Sequence, residues 1–129
     1  MGRALTGIVV DSCGWIELIN GGPLAHVYRP LVDRPEDVLV PAIVVYEVVR
    51  WADRVRGATA ADALVARLSK SPVVPLTANV AVDAARLAPR WRLHMADAII
   101  LAHARTAAAT LVTSDAAFAD VPDVAFHAK

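Results

Sequence analysis

Gly7-Ile8-Val9-Val10-Asp11 is an unbroken run of apolar, mostly β-branched residues closed by a carboxylate. A run without polar alternation reads as a strand buried on both faces, which requires a parallel sheet covered by helices on each side. Asp11 then falls at the strand's carboxyl end, the edge at which open α/β sheets bind ligands. Asp11 or Ser12 equally suits the N-cap of the helix that follows, and at this level both readings stand.

The rest of the chain alternates helix and strand patterns. Trp15 to Ile19 continues as a short helix broken at Gly21-Gly22-Pro23. Leu24, Val27, Tyr28 and Leu31 recur at helical spacing and predict a second helix through Val32. Val38-Leu39-Val40 is a second strand, and Pro41 opens a long helix over Ala42 to Arg56. Gly57 ends that helix, and Thr59 caps another reaching Leu68. Pro72 to Leu76 is a third strand whose prolines place it at an edge. Thr77 caps a helix predicted to stop near Leu87, before Pro89. Arg90 to His94 reads as a basic loop carrying Trp91. It leads into a helix from about Met95 to Ala109, a strand Thr110 to Thr113, a helical turn Ala116 to Ala119, and a last strand Val124 to Phe126. Alternation of this kind predicts a three-layer α/β sandwich: a parallel sheet of four or five strands with helices on both faces.

At 129 residues the chain fits one domain, and its 57% apolar content suffices for one sizeable core. Thirteen basic residues balance thirteen acidic ones, so no global field attracts nucleic acid or an anionic membrane. Any such binding must rest on a local patch. The bases are nearly all arginine, which suits bidentate phosphate contacts and equally follows from a GC-rich genome. Cys13 is the single cysteine, which excludes a disulfide framework and a cysteine-rich zinc site; it is expected to be buried and inert. No apolar run is long enough to span a bilayer, and no signal peptide is visible, so a soluble, cytoplasmic protein is expected. Met1 to Thr6 formally fits a myristoylation pattern, but a permissive one that runs directly into the first strand.

Four acids stand out. Asp97 has Leu93, His94, Ile100 and Leu101 as helical neighbours, so it lies on or beside the face that packs on the sheet. An ionised carboxylate there is costly unless paired or bound to a metal; if the helix starts at Met95, the acid sits instead in a first turn that favours it. Asp115 follows a strand and shares the sheet edge with Asp11, with an N-cap as its plain alternative. Glu47 is set among valines, where an ion pair with Arg50 or Arg54 is the competing role. Gathered in one cleft, these acids would repel one another, and a divalent cation removes that cost. Carboxylates without cysteine or a histidine pair suit Mg²⁺ or Mn²⁺. Such ions polarise phosphodiesters and activate water, so the set points to metal-assisted phosphodiester hydrolysis.

The order Val9-Val10-Asp11-Ser12, Glu47-Val48-Val49-Arg50, Ala96 to Ala102 around Asp97, and Thr113-Ser114-Asp115 with Phe118 resembles the PIN-domain ribonucleases, specifically VapC-type toxins of bacterial toxin-antitoxin pairs. The likeness spans nearly the whole chain. It implies a single PIN-like domain over residues 1–129, with an acidic catalytic pocket of Asp11, Glu47, Asp97 and Asp115. Asp11 and Asp97 would be the direct ligands of Mg²⁺ or Mn²⁺, and Ser12 and Thr113 hydroxyls that hold the pocket. Also implied are an endoribonuclease acting on transfer, ribosomal or messenger RNA, a small antitoxin partner and a homodimer. Arg50, Arg90 and Arg92, with Arg54 and Arg105, are candidates for a phosphate-binding rim, and Trp91 for stacking on a base. One departure is Ala117, where many relatives carry a further acid; Asp120 is the nearest substitute, beyond Phe118.

Two other classes compete. A receiver-type phosphoacceptor module needs an acidic pair after the first strand and a lysine at the sheet edge, neither of which is present. A PIN-like domain that binds a partner without catalysis would not require all four acids. No Gly-rich loop follows the first strand, which excludes a dinucleotide site.

Overall fold

The computed structural model describes residues 7–129; the pattern at Met1 to Thr6 lies outside them. Strand β1 (Ile8–Val10) pairs in parallel with β2 (Val38–Pro41) on one side and β4 (Thr110–Thr113) on the other. The outer strands are β3 (Val73–Val74) beside β2 and β5 (Val124–Phe126) beside β4, giving an all-parallel order β3-β2-β1-β4-β5. Val9 and Val10 are fully buried, as their β-branched run requires of a central strand.

Six α-helices fill the connections: α1 (Ser12–Asn20), α2 (Ala25–Val32), α3 (Ala42–Val55), α4 (Ala58–Leu68), α5 (Ala78–Trp91) and α6 (Met95–Thr106). From β1 to β3 the chain winds in one direction. The next connection, α5–α6, carries it back across β2 and β1 to β4. With right-handed crossovers, that reversal puts α5 and α6 on the face opposite α1 to α4. It also creates a switch point between β1 and β4, where the loops leaving two adjacent strands part and open a crevice at their carboxyl ends. One apolar cluster runs through the sheet, with Tyr28, Phe118, Ile100, Leu101 and Val44 among its fully buried members.

Several boundaries differ from the pattern; α1 begins at Ser12 and α6 ends at Thr106, short of Ala109. Helix α5 does not stop at Leu87 but runs through Pro89 to Trp91. The proline sits two residues from the helix end, where it forfeits one backbone bond and crowds the turn before it without ending the helix. Arg92 then closes the helix in the left-handed region, with φ of 55°, its N–H on the Ala88 carbonyl. Arg90 and Trp91 therefore belong to a helix and not to a loop. Helix α4 starts one residue before Thr59, and Gly57, with φ of 95°, takes the cap position in its place. Strand β3 shrinks to two residues at the sheet edge, between prolines that cannot donate to a ladder.

Candidate metal centre

Each acid is placed by a local device that the sequence already suggests. Asp11 caps α1, its side chain accepting the Ser12 N–H at 2.8 Å. Asp115 caps the 3₁₀ turn Ala116–Phe118, accepting the Ala117 N–H at 2.9 Å. Asp97 is the third residue of α6, where the exposed N–H groups and the helix dipole favour an anion. The capping and convergence readings thus hold together: two caps and the first turn of α6 bring three carboxylates to the carboxyl ends of β1 and β4. One oxygen of each of Asp11, Asp97 and Asp115 lies within 4.8 Å of the others. Carboxylate oxygens that close together, with no cysteine ligand among them, would suit one hard divalent cation such as Mg²⁺ or Mn²⁺.

Glu47 stands beside this trio and is not paired with Arg50 or Arg54. Among the described residues the ion pairs are those of Arg34 with Glu36 and Asp37. Glu47 instead accepts the Ser12 hydroxyl at 2.5 Å, a bond between residues 35 apart in the chain. Its charge is felt at both Asp11 and Asp97.

Electrostatics in the crevice are those of crowded acids, with His94 as a minor opposing charge at Asp97. Burial raises the Asp97 pKa to about 7, and the charges of Asp11, Asp115 and Glu47 push in the same direction. Asp11, 3% exposed, is also raised by burial, against the opposing hydrogen bonds from Thr113 and Ser12. Asp120 is exposed and stands outside the trio, so it does not replace the acid missing at Ala117.

Behind the carboxylates lies a hydroxyl and thiol network of which the sequence reading singled out only part. The fully buried Thr113 hydroxyl donates to Asp11 Oδ2 at 2.6 Å and accepts the Asp115 N–H at 3.0 Å, so one side chain ties two acids together. Cys13 is half-buried rather than buried, and it is hydrogen-bonded: its Sγ lies 3.5 Å from Thr113 Oγ1 and accepts the Ser114 N–H at 3.5 Å. Burial, then the Asp11 charge, raises its pKa and keeps the thiol protonated. Tyr28, read from sequence only as part of an apolar stripe, hydrogen-bonds Ser114 Oγ. Nothing in its spacing distinguishes it from a core residue.

The arginines do not gather into one rim. Arg50 lines a groove between α3 and α4 with Tyr46, Asp53, Arg54 and Val65, whereas Arg90 lines another between α5 and α6 with Arg86 and Arg105. Arg92 is exposed at the end of α5. Trp91 is half-buried against the core beneath Arg90, which removes it as a free stacking platform.

The PIN domain family model matches residues 8–124, a span that runs from the start of β1 to the start of β5 and contains all four acids. The chain belongs to the PIN-domain family. Solved structures of similar fold include a toxin-antitoxin complex from Klebsiella pneumoniae, 24% identical with a TM-score of 0.78, covering 92% of this chain and 95% of that one. VapC20 of Mycobacterium tuberculosis, described as a toxin that cleaves the sarcin-ricin loop, is 26% identical with a TM-score of 0.76, covering 94% and 99%. VapBC2 of Rickettsia felis, solved with a promoter DNA fragment, is 18% identical with a TM-score of 0.73, covering 94% and 97%. No curated protein matches the chain significantly in sequence. PIN membership sets the receiver-type reading aside, and so does the strand order, since receivers follow 2-1-3-4-5.

Proposed function

We propose that this PIN domain is a metal-dependent endoribonuclease and the toxin of a toxin-antitoxin pair. The observation that carries the proposal is the approach of Asp11, Asp97 and Asp115 to within 4.8 Å from three separate elements. The likeness over whole chains to VapC-type structures supports it. A crevice that raises the Asp97 pKa to about 7 works against itself unless a cation occupies it.

Asp11 and Asp97 would hold Mg²⁺ or Mn²⁺, with Asp115 and Glu47 completing the pocket. Bound there, the ion would supply Lewis-acid polarisation of a phosphodiester and a water of lowered pKa. The chain's own residues do the rest. Thr113 keeps Asp11 turned toward the crevice, and Ser12 holds Glu47 at its edge. Arg50 and Arg92, with Arg90 in the α5–α6 groove, are the candidates for RNA phosphate contacts outside the carboxylates. The substrate class is RNA, with transfer, ribosomal and messenger RNA as candidates. The proposed partners are a second copy of the chain and a small antitoxin. The cytoplasm is the proposed compartment, in keeping with a VapC-type toxin that acts on RNA.

Asp97→Asn removes one ligand charge at nearly constant volume. RNA cleavage in the presence of Mg²⁺ or Mn²⁺ is expected to disappear with the circular dichroism spectrum unchanged. Cleavage at the parent rate would make Asp97 structural and leave the non-catalytic reading. Expression in a bacterial host with and without the neighbouring upstream gene tests the toxin role, through growth arrest that the neighbour relieves.

A further inference from the structure

Tyr28 is fully buried on α2, 86 residues in sequence from the Ser114 hydroxyl it bonds. Its ring lies against the first turn of α1, where only Gly14 leaves room: a Cβ there would stand 2.5 Å from Tyr28 Cε1 and 2.6 Å from Val10 Cγ1. A phenylalanine would fill that space without bringing a polar atom into the core, and a buried hydroxyl is costly unless it is bonded. The hydroxyl therefore has a use at its far end. Ser114, itself buried, follows the last residue of β4, and the sheet ladder no longer defines its position. It is gripped by the Tyr28 hydroxyl at its side chain and by Cys13 Sγ at its N–H. On one side of it stands Thr113, whose hydroxyl clamps Asp11; on the other stands Asp115.

We propose that Tyr28 is a positioning residue of the carboxylate centre: through Ser114 its hydroxyl sets the Thr113–Asp115 segment, and with it the separation of Asp11 and Asp115. The inference rests on the reading of these acids as a cation site. It makes α2, which contributes no carboxylate, part of the machinery. Partners behind metal ligands commonly change affinity by about 10- to 100-fold when removed.

Titration of the full chain with Mn²⁺, followed by calorimetry and by the EPR signal of the bound ion, tests this. Tyr28→Phe keeps the ring and deletes only the hydroxyl. Its Mn²⁺ dissociation constant is expected to rise about tenfold, with the cation-free circular dichroism spectrum unchanged. Ser114→Ala is expected to match it, and the double variant to lose no more than either single one, because both cut the same link. Parent-like Mn²⁺ affinity in Tyr28→Phe overturns the inference, as does a double variant whose loss multiplies the two single losses. Should Tyr28→Phe not fold, Ser114→Ala decides, and parent-like affinity there overturns it. A parent chain that binds no Mn²⁺ overturns the cation site itself, a result distinct from the others.

Discussion

The Thr113 hydroxyl donates to Asp11 Oδ2 at 2.6 Å, joining residues 102 positions apart at the carboxyl ends of adjacent parallel strands. The bond counters the burial that raises the Asp11 pKa, and with the Ser12 N–H on Oδ1 it holds the carboxylate at both oxygens. Thr113→Val keeps the shape and removes the donor. Stability is expected to fall by about 1–3 kcal/mol in urea denaturation, since a buried carboxylate loses a partner, and Mn²⁺ affinity by about tenfold or more. Unchanged affinity would show that Asp11 needs no such clamp.

Asp97 makes the centre sensitive to pH. Its folded pKa, near 7, lies above the unfolded value of 3.8. Between these values the folded state holds a proton that the unfolded state has lost, so cation-free stability falls as pH rises from about 4 to 7. Above pH 7 the carboxylate is ionised and ready for a cation; below it, a cation must displace the proton. Melting temperatures without cation are therefore expected to drop from pH 5 to pH 8. The increment from added Mn²⁺ is expected to grow over the same range. A Mn²⁺ increment independent of pH would contradict the raised Asp97 pKa.

Ser12 and Glu47 form a second long-range link, at 2.5 Å. Ser12→Ala leaves the α1 cap on Asp11 in place and frees Glu47 to swing toward solvent. Cleavage is expected to fall about tenfold. Adding Glu47→Gln to Ser12→Ala should cost less than Glu47→Gln costs in the parent, because the first change already uncouples Glu47. Fully additive losses would mean that the two residues act separately.

Gly14 is a test of packing alone. Alanine is favoured over glycine within a helix by up to about 1 kcal/mol, yet its Cβ would collide with the Tyr28 ring and with Val10. Neither neighbour is a flexible surface side chain, so the clash sets the sign. Gly14→Ala is expected to destabilise by about 1–3 kcal/mol, read from the urea midpoint. A stabilised variant would show that α1 can lift off the sheet at little cost.

Much of the fold is legible in short stretches. Val9 and Val10 demand burial on both faces, and that alone implies a parallel sheet under helices. The prolines around Val73–Val74 place β3 at the edge where it is found. Pro89 misleads, because the lost N–H bond and the crowding of the preceding turn cost less than ending α5 there, and the helix runs on to Trp91. The three aspartates are visible as caps or first-turn acids from spacing alone. Glu47 is ambiguous until Ser12, and not an arginine, is seen to hold it.

Residue order determines the strands, the helices and the position of each acid on its own element, because those depend on side-chain period and backbone preference within a few residues. Which acids meet, at what separation, and which hydroxyls stand behind them are decided only when β4 is laid beside β1 and α6 across both. Tyr28 is the clearest case. Its spacing marks it as core, and its contact with Ser114 joins residues 86 positions apart, which no local pattern encodes. Contacts of that range are set by packing the whole sheet and its helices at once, and there the carboxylate centre acquires its geometry.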